Sequence, residues 1–365
     1  MATNKICKEE IFLDDGRRAV ASFPVIVSAS RSTDIPAFYV DWFFHRLKVG
    51  YSAWTNPFNG VKSYVSYDST KFIVFWSKNP RPLLPYLDYL EERGIACYIQ
   101  YTLNDYEVEG LEKGVRPLSE RIDTFHQFVK RLGKGSVVWR FDPLILTDKI
   151  GIDELLKKVE NIGDKLHGYT EKLVFSYADI ASYRKVRCNL EKNGILYQEW
   201  NEESMHEMAF QLSKLNEKWG YELATCGEKI DLKQYNISRN HCVDDRLIVR
   251  FGYRSKDLLD FLNTEIINQG PVQQRLFSFD DGNNNATIPP NAILLDNGEY
   301  AIIKKDNKDK GQREFCGCMK SKDIGEYNTC PHLCEYCYAN ASKEVAIRNW
   351  KQHKVNPYAE TIIGK

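Results

Sequence analysis

Short runs rich in Val, Ile, Phe and Tyr recur from Pro24 to Thr225, and most are followed by a stretch with helical spacing. No other feature of the chain limits its fold as much. Pro24 to Ser30 (PVIVSAS), Tyr51 to Thr55, Phe72 to Ser77 (FIVFWS), Ala96 to Leu103, Ser136 to Phe141, Lys172 to Tyr177 (KLVFSY) and Tyr221 to Thr225 read as strands. Amphipathic helices are expected over Ala37 to Val49, through Leu83, Leu87 and Leu90, over Leu118 to Leu132, and through Met205, Phe210 and Leu215. Strands alternating with helices imply βαβ units and a parallel sheet. Runs that are apolar nearly throughout suit strands covered on both faces. The expected class is α/β, with a complete or incomplete TIM-type parallel β/α barrel ahead of its competitor, an open doubly wound sheet.

Beyond about residue 250 the alternation stops. Asp280 to Pro290 (DDGNNNATIPP) reads as a loop, and Ala292 to Lys304 as a hairpin turning at Asn297-Gly298. The expected organisation is therefore a barrel over 1–265, an insertion or linker with the hairpin over 266–310, and a Cys-rich segment over 311–365 that packs on the barrel mouth. A helix is expected from about Ala341.

In barrels the chemistry lies at the carboxyl ends of the strands. Those ends carry Ser28, Ser30, Arg31 and Asp34, then Thr55 and Asn56, Lys78 and Asn79, Thr102 and Asn104, Arg140 and Asp142, Ser176 and Asp179, and Cys226. Polar loops and helix caps explain many such residues. Lys78 and Arg140 follow apolar runs so closely that their charged heads belong at the mouth. With Arg31 they would form a pocket for a carboxylate or phosphate. Arg31, Lys78, Arg140 and Asp142 are the candidate catalytic residues, with Asn56 and Asn79 as candidate cofactor contacts.

The formal net charge is zero, so bulk electrostatics give no argument for a nucleic-acid or anionic-membrane partner. There is no apolar run of signal-peptide or membrane-spanning length, and a cytoplasmic location is expected. In a reducing compartment ten cysteines are ligands or buried thiols rather than disulfides.

Three of them, Cys330, Cys334 and Cys337, stand at C-x3-C-x2-C spacing with Tyr336 just before the last. Soft thiolates in a tight loop suit three corners of a four-iron cluster, with structural zinc as the alternative. His332 lies inside the loop as a further donor or a simple loop residue. Cys316 and Cys318, with Cys226 and Cys242, complete a set of four thiols, enough for a second [4Fe-4S] cluster or a zinc ion. Buried apolar thiols are the alternative for Cys226 and Cys242. Cys7, Cys97 and Cys188 are isolated, and no ligand role is expected for them.

Over Cys330–Ala339 the chain resembles radical S-adenosylmethionine (SAM) enzymes. That resemblance implies an open iron that chelates SAM, an electron that cleaves it to a 5'-deoxyadenosyl radical, and Tyr336 against the adenine. A Gly-Gly-Glu element is not identified, and the motif stands near the carboxyl end instead of after the first strand. A closed barrel accounts for the position: the last strand, Asp323 to Thr329 (DIGEYNT), which leads into the cluster loop, would lie beside the first, as in a circular permutation. More broadly, the chain is similar to a bacterial family known as domain of unknown function 1848. The matching stretches are Ser28 to Pro36 (SASRSTDIP), Asn56 to Asn59, Phe75 to Pro80 (FWSKNP), Val138 to Pro143 (VWRFDP), Thr225 to Glu228, and Cys316 to Cys318 with Ser321 to Ala339. This second resemblance implies a fold and cysteine assignments but no activity.

Three functions compete. The first is a radical SAM-type enzyme acting on a small molecule or modified nucleotide and reduced by a ferredoxin or flavodoxin. The second is a metal-stabilised nucleic-acid-binding protein using Lys304, Lys305, Lys308, Lys310, Arg313, Lys320 and Lys322. The third is a TIM-barrel hydrolase or isomerase with a structural metal.

Overall fold

The longest strands of the main sheet form where apolar runs can be covered on both sides. A computed structural model describes residues 6–56, 59–267 and 289–364. Its main sheet has eight strands: β1 (Ile26–Ala29), β2 (Phe72–Ser77), β3 (Ala96–Thr102), β4 (Val137–Leu144), β5 (Lys172–Tyr177), β6 (Glu222–Thr225), β7 (Ile237–Arg239) and β8 (Lys322–Asp323). Every ladder between neighbours is parallel. The spatial order is β7-β6-β5-β4-β3-β2-β1-β8.

A doubly wound sheet reverses its order at a switch point. Here β1 to β7 follow one another without reversal, and β8 returns to the free side of β1. Lys322 pairs with Val27 and Asp323 with Ser28, so the last strand does lie beside the first. No ladder joins β7 to β8 among the described residues, which leaves a gap in the sheet. A backbone hydrogen bond from Met319 N to Val243 O, 2.9 Å, links the segments next to those two strands.

Two corrections concern strands. Tyr51–Thr55 is a strand but not one of the main sheet. It pairs antiparallel with Lys62–Ser66 in a separate sheet that also holds Arg18–Phe23 and Cys7–Phe12. Its near neighbour in sequence outcompetes the main sheet, because a short hairpin costs less chain entropy to close than a distant pairing. Asn56 consequently sits at that hairpin's turn, donating its N–H to Val61 O at 3.0 Å, and not at a strand end of the main sheet. Ile237–Arg239 is a strand with no apolar run behind it; only Ile237 is buried. The hairpin forms as Ile293–Leu294 against Tyr300–Ile303, joined by Thr264–Ile267. Residues 268–288, which include most of the expected loop, lie outside the described residues.

The strand period of two assigns the faces. Val27, Ala29, Ile73, Phe75, Ile99 and Tyr101 enter the larger core. There Leu118–Leu132 contributes Ile122, Phe125, Phe128 and Val129, and Ile152–Leu166 contributes Leu155, Val159 and Ile162. Ile26, Phe72, Val74 and Tyr98 enter a second cluster with Val249, Leu258 and Leu262 from the helices Asp245–Gly252 and Lys256–Leu262. Each fully buried Phe or Leu contributes roughly 1.5–3 kcal/mol relative to an exposed one.

Candidate metal centres at the carboxyl edge of the sheet

On the face that holds Ile26, Val74 and Tyr98, the next positions toward the carboxyl ends are polar or amphipathic. They are Ser28, Trp76, Gln100 and Arg140. Trp76 Nε1 donates to Ser28 Oγ at 3.1 Å, and Arg140 Nη1 donates to Gln100 Oε1 at 3.1 Å. Two guanidiniums approach the Trp76 ring, Arg140 at 5.3 Å and Arg31 at 5.6 Å from its centroid. Arg140 is buried and also pairs with Asp142, whose other carboxylate oxygen accepts from Ser176. Arg31 Nη2 is buried and finds no hydrogen-bond partner among the described residues.

The expected anion pocket therefore changes. Arg140 is paired with Asp142, and Lys78 Nζ binds Glu112 at 2.7 Å. Burial alone would raise the Glu112 carboxyl, but Lys78 and Arg121 hold it down to about 2. Arg31 keeps a donor to spare. Asn79 turns back on β2, its N–H donating to Ser77 Oγ at 2.9 Å.

The Cys330 loop follows β8 and is fastened from three sides. Asp323, the last residue of β8, accepts hydrogen bonds from Ser28 Oγ (2.9 Å), Ser30 Oγ (2.8 Å), Arg31 N (3.0 Å) and Gly325 N (2.9 Å). Asp34 caps a short helix through Ala37 N, and it also binds His332 Nε2 at 2.7 Å. His332 Nδ1 faces Gly114 O at 3.2 Å, so both ring nitrogens have oxygen partners. Gly114 is required there: a Cβ would lie 2.6 Å from His332 O. The Tyr336 hydroxyl meets Glu112, Lys78 Nζ (2.8 Å) and Asn104 Nδ2 (3.1 Å), which anchors the aromatic before the third cysteine.

Burial raises the thiols of Cys330, Cys334 and Cys337, and for Cys330 and Cys334 the neighbouring cysteines add to it. A soft metal would displace those protons. Cys334 is buried and Cys330 and Cys337 are partly so, and three thiols in one loop fit a thiophilic cluster by their donor chemistry.

The four remaining candidate ligands come from three segments. Cys226 follows β6, Cys242 follows β7, and Cys316 and Cys318 precede β8. Cys226 Sγ and Cys242 Sγ are 3.2 Å apart. Cys318 contacts both Cys242 and Cys316. Cys242 Sγ accepts from Arg140 Nη1 at 3.3 Å and from Asn240 Nδ2 at 3.1 Å. Its carbonyl accepts from Tyr98 Oη and Gln100 Nε2, which fixes the turn after β7.

A continuous path of polar contacts joins the two groups: Tyr336 Oη, Asn104, Asp142, Arg140 and Cys242 Sγ. Of these, Asn104, Arg140 and Asp142 are readable as strand-end residues, and Cys242 and Tyr336 from the cysteine pattern. Glu112, Trp76 and Asp323 are not among the sequence candidates. Glu112 stands in a polar stretch without periodicity, Trp76 reads as core, and Asp323 reads as an ordinary strand residue.

Several lysines of the basic stretch have partners: Lys304 binds Glu265, Lys305 the Phe261 carbonyl, and Lys308 the Glu314 carbonyl. Among the described residues, His241, Asp244 and Asp245 bring three ligand atoms within 4.8 Å of one another. Asp244 is engaged there as a helix cap, accepting from Arg246 N at 2.9 Å. No helix of the described residues is long and apolar enough to cross a membrane.

These features define an α/β protein whose all-parallel, eight-stranded sheet carries two groups of cysteines beyond its strand ends. The chain belongs to the family catalogued as domain of unknown function 1848 (DUF1848), whose profile matches residues 26–339. Comparison with curated proteins and with solved structures returns no match.

Proposed function

We propose that the chain is an iron–sulfur enzyme of the radical SAM type, with Cys330, Cys334 and Cys337 holding three irons of a [4Fe-4S] cluster and SAM taking the fourth. The observation that carries this reading is the place of the loop. It follows β8, which lies against β1, so its thiols stand at the carboxyl edge where parallel α/β sheets bind ligands. A cluster held there supplies single electrons to SAM, drawn from a ferredoxin- or flavodoxin-type reductant.

The chain's own residues orient and bind. Asp34, through His332, and Glu112 and Lys78, through Tyr336, hold the loop in register with the strand ends. Tyr336 acts in this reading as an anchor rather than as a surface for adenine. Arg31 Nη2, buried and unpartnered, offers a donor to an anionic group of a small-molecule or nucleotide substrate, with Trp76 as the adjoining flat face. The test is an EPR spectrum of the anaerobically reconstituted, dithionite-reduced protein with and without SAM. A four-iron signal that shifts on adding SAM is expected. A signal indifferent to SAM, or zinc in place of iron, overturns the reading.

A further inference from the structure

We propose that Cys226, Cys242, Cys316 and Cys318 form a second, closed thiolate centre, which holds a thiophilic metal of its own, as a [4Fe-4S] cluster or a zinc ion, and bridges the gap between β7 and β8. It is independent of the Cys330 loop and of whether SAM binds there.

Four thiols from three separate segments converge on one partly buried spot, with Cys242 and Cys318 almost fully covered. Burial of unpaired polar groups is costly, and this spot is lined with them. Asn240 is 3 % exposed, and its Oδ1 has no partner among the described residues while its Nδ2 donates to Cys242 Sγ. Arg140 donates to the same sulfur, and the Arg31 guanidinium interacts with Cys318, Cys242 and Cys316. The buried Arg140 and the half-buried Arg31 balance a centre that is net negative once the thiols ionise and bind metal. A Cβ on Gly317 would lie 2.1 Å from His241 Cδ2, so a side chain between Cys316 and Cys318 would push the exposed His241 ring aside.

Four thiolates in a closed set suit a tetrahedral zinc and a [4Fe-4S] cluster alike. They leave no coordination position open, so this centre is structural or electron-transferring and does not chelate SAM.

The test uses the full chain carrying Cys330→Ala, Cys334→Ala and Cys337→Ala, purified anaerobically and assayed for iron, acid-labile sulfide and zinc. About four irons and four sulfides per chain, or one zinc, should remain, and that metal should vanish when Cys316→Ser and Cys318→Ser are added. Neither metal, or a metal that survives those two substitutions, overturns the centre. If the substituted chain does not fold, the reconstituted wild type answers the same question. About eight irons per chain with one EPR component that ignores SAM, or about four irons and one zinc, are expected; about four irons without zinc overturn the proposal.

Discussion

The two cysteine groups are built in opposite ways. Cys330, Cys334 and Cys337 lie within eight residues and need only a loop, which neighbouring side chains then fasten to the sheet. Cys226, Cys242, Cys316 and Cys318 span 93 residues and meet only once β6, β7 and β8 are in place. A metal on the first group would need little help from the fold. One on the second would presuppose the fold and tie it together. A local site is free to exchange ligands, whereas an assembled one serves better as a fastening.

The sharpest way to break this contrast is to remove one thiol from each group. Cys334→Ala should abolish any SAM-responsive EPR signal while shifting the thermal midpoint little; a retained signal would contradict the loop assignment. Cys242→Ser should leave that signal in place and lower the midpoint by several degrees, because the fastening is lost.

Next in size is Glu112, whose ionised carboxylate sits between Lys78 and Arg121. Glu112→Gln leaves buried cations uncompensated and should cost roughly 3–5 kcal/mol in urea denaturation. Its folded pKa, about 2, lies below the ordinary value of 4.5. The stability it contributes is therefore fully present above about pH 4.5 and lost as pH falls through about 2. The gap between wild type and Glu112→Gln should accordingly be widest at neutral pH and narrow in that acid window. A gap constant down to about pH 2.5 would show that the carboxylate is not the stabilising form.

A smaller effect is expected at Gly317. Gly317→Ala drives a Cβ into the His241 ring and should cost roughly 1–3 kcal/mol, together with metal from the second group only. Adding His241→Ala should restore most of both losses. The smallest effect belongs to Trp54, whose Nε1 donates to Gly325 O at 2.7 Å beneath the Lys322 ammonium. Trp54→Phe should cost about 1 kcal/mol and loosen the approach to the Cys330 loop without emptying it, as limited proteolysis can check.

Legibility followed the same division between local and assembled. Phe72–Ser77 and Lys172–Tyr177 are readable to the residue, because strands covered on both faces spell themselves as apolar runs. Tyr51–Thr55 is readable as a strand but not by its sheet, since its hairpin partner, Lys62–Ser66, carries no apolar run. β7 and β8, three and two residues long, carry no pattern of their own; they exist because their neighbours offer an edge. In the site, the cysteine spacing is visible at once. That Lys78 and Arg140 are held by carboxylates is not, because Glu112 comes from a loop without period and Asp142 is indistinguishable in sequence from a free strand-end acid.

One consequence of β8 concerns time. The hydrogen bond between Ser28 and Asp323 spans 295 residues. At about 5–20 residues per second, that distance is roughly 15–60 s of ribosomal synthesis. Throughout that interval the outer edge of β1 is a bare strand, able to pair with whatever strand arrives first. The side sheet has all its strands by Ser66, two before β1 and two between β1 and β2. The nascent protein thus spends its longest vulnerable period waiting for two residues.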